Sequence, residues 1–144
     1  MTPSYRQATA SDLVGMATVY VAAFPDSIRH FFPRTRPPVQ AIADALAIVL
    51  DAEPEAVWVA EVEGTVAGYC MAPAQLSRIS RIALRNGHHW RFLRRWLGGG
   101  YHLGLHALWV LWLDKLHGLR ERRHDRHHAE AHILSIAVHP EFQG

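Results

Sequence analysis

Three observations on the 144-residue chain predict an α+β fold, a central sheet with helices on its faces. Two stripes of apolar residues at helical spacing occupy its first third. Two short alternating runs follow, joined by a two-residue turn. A β-branched apolar run, Ile133-Leu134-Ser135-Ile136-Ala137-Val138, stands close to the last residue. An apolar content of 49% suits one packed domain of this length.

Taken in order, residues 4–8 read as a short first strand. Thr9-Ala10-Ser11-Asp12 reads as a capping box, with the Thr9 hydroxyl taking the amide proton of Asp12 and the Asp12 carboxylate returning to Thr9. Leu13, Met16, Ala17, Tyr20, Val21 and Phe24 then line one face of a helix, which Pro25 is expected to end. The aromatic, proline-containing stretch 28–38 reads as loop. Val39, Ile42, Leu46, Val49 and Leu50 form a second helical stripe, closed by Asp51-Ala52-Glu53-Pro54. Residues 56–62 and 65–71 alternate as strands about the tight-turn pair Glu63-Gly64, a hairpin that Pro73 terminates.

Residues 74–131 differ in character. Residues 1–77 hold four Arg against eight Asp and Glu, whereas residues 78–128 hold ten Arg and one Lys against Asp114, Glu121 and Asp125. The middle of the chain therefore reads as a separate, basic, helical unit inserted into the domain. Leu76, Ile79, Ile82 and Ala83 suggest one helix, and Trp90, Leu93, Arg94 and Leu97 another, before Gly98-Gly99-Gly100 breaks the pattern. The stretch 101–119 is strongly apolar. It contains His102 and His106 and meets Asp114-Lys115 too early for the roughly 20 apolar residues of a membrane span. A buried or interface helix is the expectation there.

The run His132-Ile133-Leu134-Ser135-Ile136-Ala137-Val138 reads as a buried strand, and His139-Pro140-Glu141-Phe142-Gln143-Gly144 as the turn after it. A strand followed by Pro, an aromatic and Gln-Gly resembles the signature strand and loop of the GNAT superfamily of N-acetyltransferases. In that family a Q/R-x-x-G-x-G/A loop wraps the pyrophosphate of acetyl-CoA, and Gln143 and Gly144 match its first two positions. The order strand, helix, helix, strand, turn, strand is also the family's opening layout, so the resemblance covers residues 4–73 and 132–144. It implies an acyl-CoA N-acyltransferase-like α+β fold with a mixed central sheet. The first four strands would be present, and residues 74–131 would be a long insertion between strands three and four. On this reading residues 1–144 are one incomplete acetyltransferase domain, expected to have little activity alone.

The same resemblance implies acetyl-CoA as co-substrate and a primary amine of a small molecule or peptide as acceptor, attacking directly within a ternary complex. Backbone groups of Ile136, Ala137 and Val138 would pair with the pantetheine arm and polarise the thioester. The amides at Gln143 and Gly144 would begin the diphosphate cradle, where oriented N–H groups and a glycine suit close approach of an anion. His132, at the start of the fourth strand, is the expected base, because an imidazole with a reference pKa near 6.5 suits proton uptake at neutral pH. Glu130 is the alternative, acting through a water. The acid that protonates the thiolate would lie past Gly144.

Other features point elsewhere or nowhere. His102, His106, His124, His127 and His128 lack the fixed four-ligand pattern of a zinc site, so no metal is expected. Cys70, the one cysteine, excludes an internal disulfide and reads as a packed thiol within a strand. With no apolar leader in the first residues, a cytoplasmic location is the default. Arg91, Arg94 and Arg95 with Arg120, Arg122, Arg123 and Arg126 flank the apolar stretch without any nucleic-acid motif. A lid over the acceptor or a contact between two copies is the role expected of the insertion. The competing reading is a non-catalytic, basic, tryptophan-rich module that binds a partner protein or an anionic membrane surface.

Overall fold

The computed structural model describes residues 2–31, 39–99 and 133–144. Four strands, β1 (Ser4–Gln7), β2 (Val57–Val62), β3 (Thr65–Met71) and β4 (Ser135–Val138), form one sheet in the order β1-β2-β3-β4. Every pairing is antiparallel. The α+β class is therefore correct; among the described strands, the first four of the expected mixed sheet, there is no parallel pair. Helices α1 (Leu13–Ala23), α2 (Pro25–Phe31), α3 (Val39–Ala52), α4 (Leu76–Arg85) and α5 (His88–Leu97) complete the described elements.

The helices cover one face of the sheet. Met16, Ala17 and Val19 of α1 and Leu46, Val49 and Leu50 of α3 pack against Val57, Val59, Tyr69, Met71 and Ala137 of the strands, all of them buried. The period of two places the alternate residues on the other face, and there Tyr5, Trp58, Ile136 and Val138 are exposed. A single helix-covered face explains why only Ala137 of β4 is in the core.

Local chemistry sets the joints. Glu63 and Gly64 both take positive φ, 50° and 77°, the requirement of the two-residue turn that matches strand twist. At the start of α1 the Thr9 backbone N–H donates to Asp12 Oδ2 at 2.7 Å, and the Thr9 hydroxyl donates to the same oxygen at 2.8 Å. Arg6 of β1 grips that carboxylate with two nitrogens at 2.7 and 2.8 Å and reaches Glu61 of β2 at 2.7 Å. One guanidinium thus ties the first strand to its neighbour and to the first helix. Arg6 and Thr9 hold the buried Asp12 carboxyl well below the usual carboxylate range, against the opposing effect of its burial.

Two expectations change. Helix α1 ends at Ala23, ahead of Pro25 as expected, but Pro25 also opens a further helix, α2, where its missing N–H costs nothing in the first turn. Residues 28–31, expected as loop, are therefore helical, and residues 32–38 lie outside the described residues. The fourth strand begins at Ser135 rather than at 132, and Ile133 and Leu134 before it are exposed. It is an edge strand, not a buried one, among the described residues.

Between residues 74 and 99, α4 and α5 fall where the periodicity placed them and α5 ends before Gly98. They are fastened from α3. The buried Glu53 carboxylate accepts the N–H groups of Ala74 at 2.8 Å and Gln75 at 3.0 Å, satisfying donors at the start of α4. Hydrogen bonds to a charged acceptor contribute about 1.5–3 kcal/mol each. Asp51 and Asp44, two turns apart on α3, meet His88 Nε2 at 2.7 Å and Arg95 at 2.7 and 2.9 Å, two turns apart on α5. The stretch 101–119 lies outside the described residues, and among those described no helix is long and apolar enough to cross a membrane.

Two outcomes are expected. A Cβ on Gly68 would stand 2.9 Å from the Ala137 carbonyl oxygen and 3.3 Å from Val138 Cγ2. Gly68→Ala should therefore lower stability by about 1–3 kcal/mol in urea unfolding and raise hydrogen exchange at Ala137, because backbone rather than a flexible side chain must give way. For Asp12 the folded-state carboxyl titrates below its unfolded value, so its contribution is present above the ordinary carboxylate range and lost as pH falls toward the depressed value. Asp12→Asn should be less stable than the parent at neutral pH, with the gap closing below about pH 4.

Candidate functional site

The alternation of antiparallel bonds decides what β4 can offer. Its register pairs Val138 with Gly68, Ala137 with Tyr69, Ile136 with Cys70 and Ser135 with Met71. The His139 N–H donates to the Ala67 carbonyl at 2.8 Å. Counting back in twos, Ala137 and Ser135 also turn their N–H and C=O groups toward β3. Ile136 and Val138 turn theirs away, to the edge that no described strand covers. Of the three residues expected to hold an acyl carrier by backbone, Ile136 and Val138 thus have outward groups, and those of Ala137 belong to the sheet.

The turn after β4 modifies this edge. The Gln143 side-chain amide donates to the Val138 carbonyl at 2.7 Å, closing the chain back on the strand. Three outward groups remain: the N–H of Ile136, its C=O, and the N–H of Val138. Pro140, Glu141 and Phe142 form a 3-10 turn in which the Gln143 backbone N–H donates to the Pro140 carbonyl at 3.2 Å. In this geometry the amide at Gln143 is occupied within its own turn.

A groove of about 490 Å³ lies beside this turn, walled by Gly15, Thr18 and Val19 of α1, by Glu63, Thr65 and Val66 at the hairpin, and by His139, Glu141 and Phe142. His139 Nδ1 accepts the Glu141 N–H at 3.4 Å and lies 3.8 Å from Glu141 Oε2. His139 and Glu141 are the titratable pair that sequence reasoning passed over, because the segment reads there only as a turn. The signal was present: a histidine placed directly after a strand, before a proline, cannot move far from the strand end.

Beneath the edge, the Tyr69 hydroxyl meets Ser135 Oγ at 2.8 Å. Burial pushes the Tyr69 phenol above its usual range, with the Ser135 hydrogen bond opposing, so the group stays a neutral hydroxyl at physiological pH. It fixes the start of β4 rather than facing its open edge. Cys70, half-buried and opposite Ile136 on β3, lies within the sheet as expected. His132 and Glu130, the expected base and its alternative, lie outside the described residues. Among those described, no group of three or more His, Cys, Asp or Glu is placed to hold a metal ion.

No known family profile matches the chain. No curated protein matches it either. Among solved structures, a protein from Pyrococcus horikoshii described as "A Putative Acetyltransferase" is similar over 49% of this chain and 22% of its own, at 20% identity and a TM-score of 0.39. The match spans less than a quarter of that protein's length.

Proposed function

We propose that the open edge of β4 is the thioester-binding rail of an acetyl-CoA-dependent N-acetyltransferase of the GNAT type. The acetyl group would pass to a primary amine of a small molecule or peptide by direct attack in a ternary complex. One observation carries this reading: two N–H donors and one carbonyl acceptor, on Ile136 and Val138, face outward from a strand whose other edge is held to β3. An extended arm bearing amides can add to such an edge as a further strand would.

The chemistry asks little of side chains at this place. An outward N–H directed at the thioester oxygen stabilises the charge that develops there as the amine attacks. The new C–N bond forms as the C–S bond breaks, and the ammonium proton goes to His132, or to Glu130 through a water in the alternative. The Gly144 amide would begin the contact with the diphosphate. Acceptor choice would fall to the insertion 74–131, as a lid or as a contact between two copies.

The test exploits the alternation along β4. Val138→Pro removes an outward N–H and no bond to β3, a substitution edge strands accept. Isothermal titration of acetyl-CoA into the chain should show saturable binding, weakened about tenfold by Val138→Pro with the fold retained. Ala137→Pro, which removes a bond to Tyr69, should instead release β4. Equal affinity in Val138→Pro and parent, or no heat of binding in the parent, defeats the proposal. In a turnover assay of a version extended by about fifty residues past Gly144, His132→Ala should abolish the rise of rate through about pH 6.5 that an imidazole base confers. A profile left unchanged by His132→Ala but removed by Glu130→Gln transfers the role to Glu130.

A further inference from the structure

From the α4–α5 hairpin we infer a second function, docking on an anionic lipid surface, independent of the acyl-transfer reading. Residues 74–99 carry six arginines and no aspartate or glutamate. Arg95 is engaged by Asp44 of α3. Arg78, Arg81, Arg85, Arg91 and Arg94 are exposed and have no acidic partner among the described residues. On α4 the first three fall at i, i+3 and i+7, a row within about 60° of helix surface.

The apolar half of the argument lies on α5. At 100° per residue, Trp90, Leu93 and Leu97 share an arc of about 60°, with Arg94 next to it. All three are on the outside, Trp90 at 66%, Leu93 at 38% and Leu97 at 72% exposure, and they line an open groove of about 600 Å³ with Arg91 and Arg94. Packing preference alone would turn such a stripe inward. It is turned outward, and the polar anchors lie about half a turn round the helix. His88 is buried against Asp51, and Arg95 is held by both oxygens of Asp44. These two contacts to α3, with the half-buried Phe92 and Trp96 on the same side of the helix, leave Trp90, Leu93 and Leu97 facing outward.

A helix that presents Trp and Leu on one side with Arg beside them, and little net hydrophobicity, matches an element that lies in the headgroup region without spanning the membrane. The indole sits at that depth, and each arginine finds a lipid phosphate. The apolar stripe favours lipid over nucleic acid, whose phosphates would engage the arginines but leave Leu93 and Leu97 without a gain.

Co-sedimentation of the 144-residue chain with vesicles tests this. The chain should bind vesicles of phosphatidylcholine containing phosphatidylglycerol, bind pure phosphatidylcholine negligibly, and dissociate as salt is raised. Arg91→Ala/Arg94→Ala should lower partitioning roughly thirtyfold. Trp90→Ser/Leu97→Ser should lower it at least about tenfold while its arginines remain. Both pairs are surface changes, so circular dichroism should be unaltered. If either variant loses helix, the salt titration of the unmodified chain decides, and binding that persists at high salt overturns the inference. It is equally overturned by equal binding to neutral vesicles, by no binding to either kind, or by indifference to both double substitutions. Capture by a single-stranded oligonucleotide, as tight for Trp90→Ser/Leu97→Ser as for the parent, would replace lipid with nucleic acid.

Discussion

The antiparallel pairing of β4 on β3 is the interaction on which the candidate site depends. Residues 133–144 reach the described fold through one strand of four residues, and that strand docks along one edge only. Its position rests on the ladder to β3, on the burial of Ala137, and on the absence of a side chain at Gly68 where the two backbones approach. The same ladder that holds the strand also sorts its polar groups. Half are consumed by β3, and the other half must face away, because successive residues in an antiparallel pair alternate. The open donors and acceptor are thus a by-product of the docking.

A second constraint organises residues 74–99. Helix α3 and the residue after it supply Asp44, Asp51 and Glu53, and each reaches forward to a cationic side chain, a histidine or a helix start in residues 74–95. An acidic helix end thereby receives a basic helical pair. The charge asymmetry of the sequence is partly resolved inside the fold, at three defined points, while Arg78, Arg81, Arg85, Arg91 and Arg94 are left on the surface. One consequence is geometric: the contacts of Asp44 and Asp51, and the half-buried Phe92 and Trp96, lie on the side of α5 opposite Trp90 and Leu97, which meet solvent.

These two devices divide the molecule. The β1–β2 and α1 region, closed by Arg6 on Asp12 and Glu61, is local in character and packs a continuous core against one sheet face. The opposite face carries Tyr5, Trp58, Ile136 and Val138 in the open, so apolar surface is concentrated on the same side as Cys70 and beside the β4 edge. The groove between α1, the hairpin and the His139–Phe142 turn lies at the end of β4, where a strand end, a histidine and a carboxylate converge.

The sequence by itself determined the described helices other than α2, the hairpin and the four strands, since each follows from a local period or turn chemistry. The stripe of Leu46, Val49 and Leu50, the Glu63-Gly64 turn and the Thr9–Asp12 box need no distant residue to be read. It also marked Ile136, Val138, Gln143 and Gly144 as a place of interest. Tertiary structure decided the rest. Which backbone groups of β4 face outward depends on register with Tyr69, a relation between residues far apart in sequence. That Gln143 folds back on Val138, and that α5 turns its tryptophan out, depends on partners no local pattern encodes. Short-range periodicity records which residues want burial. Only the assembled fold settles which of them obtain it, because the side of α5 that Asp44 and Asp51 meet half-buries Phe92 and Trp96 and leaves Leu97 in solvent.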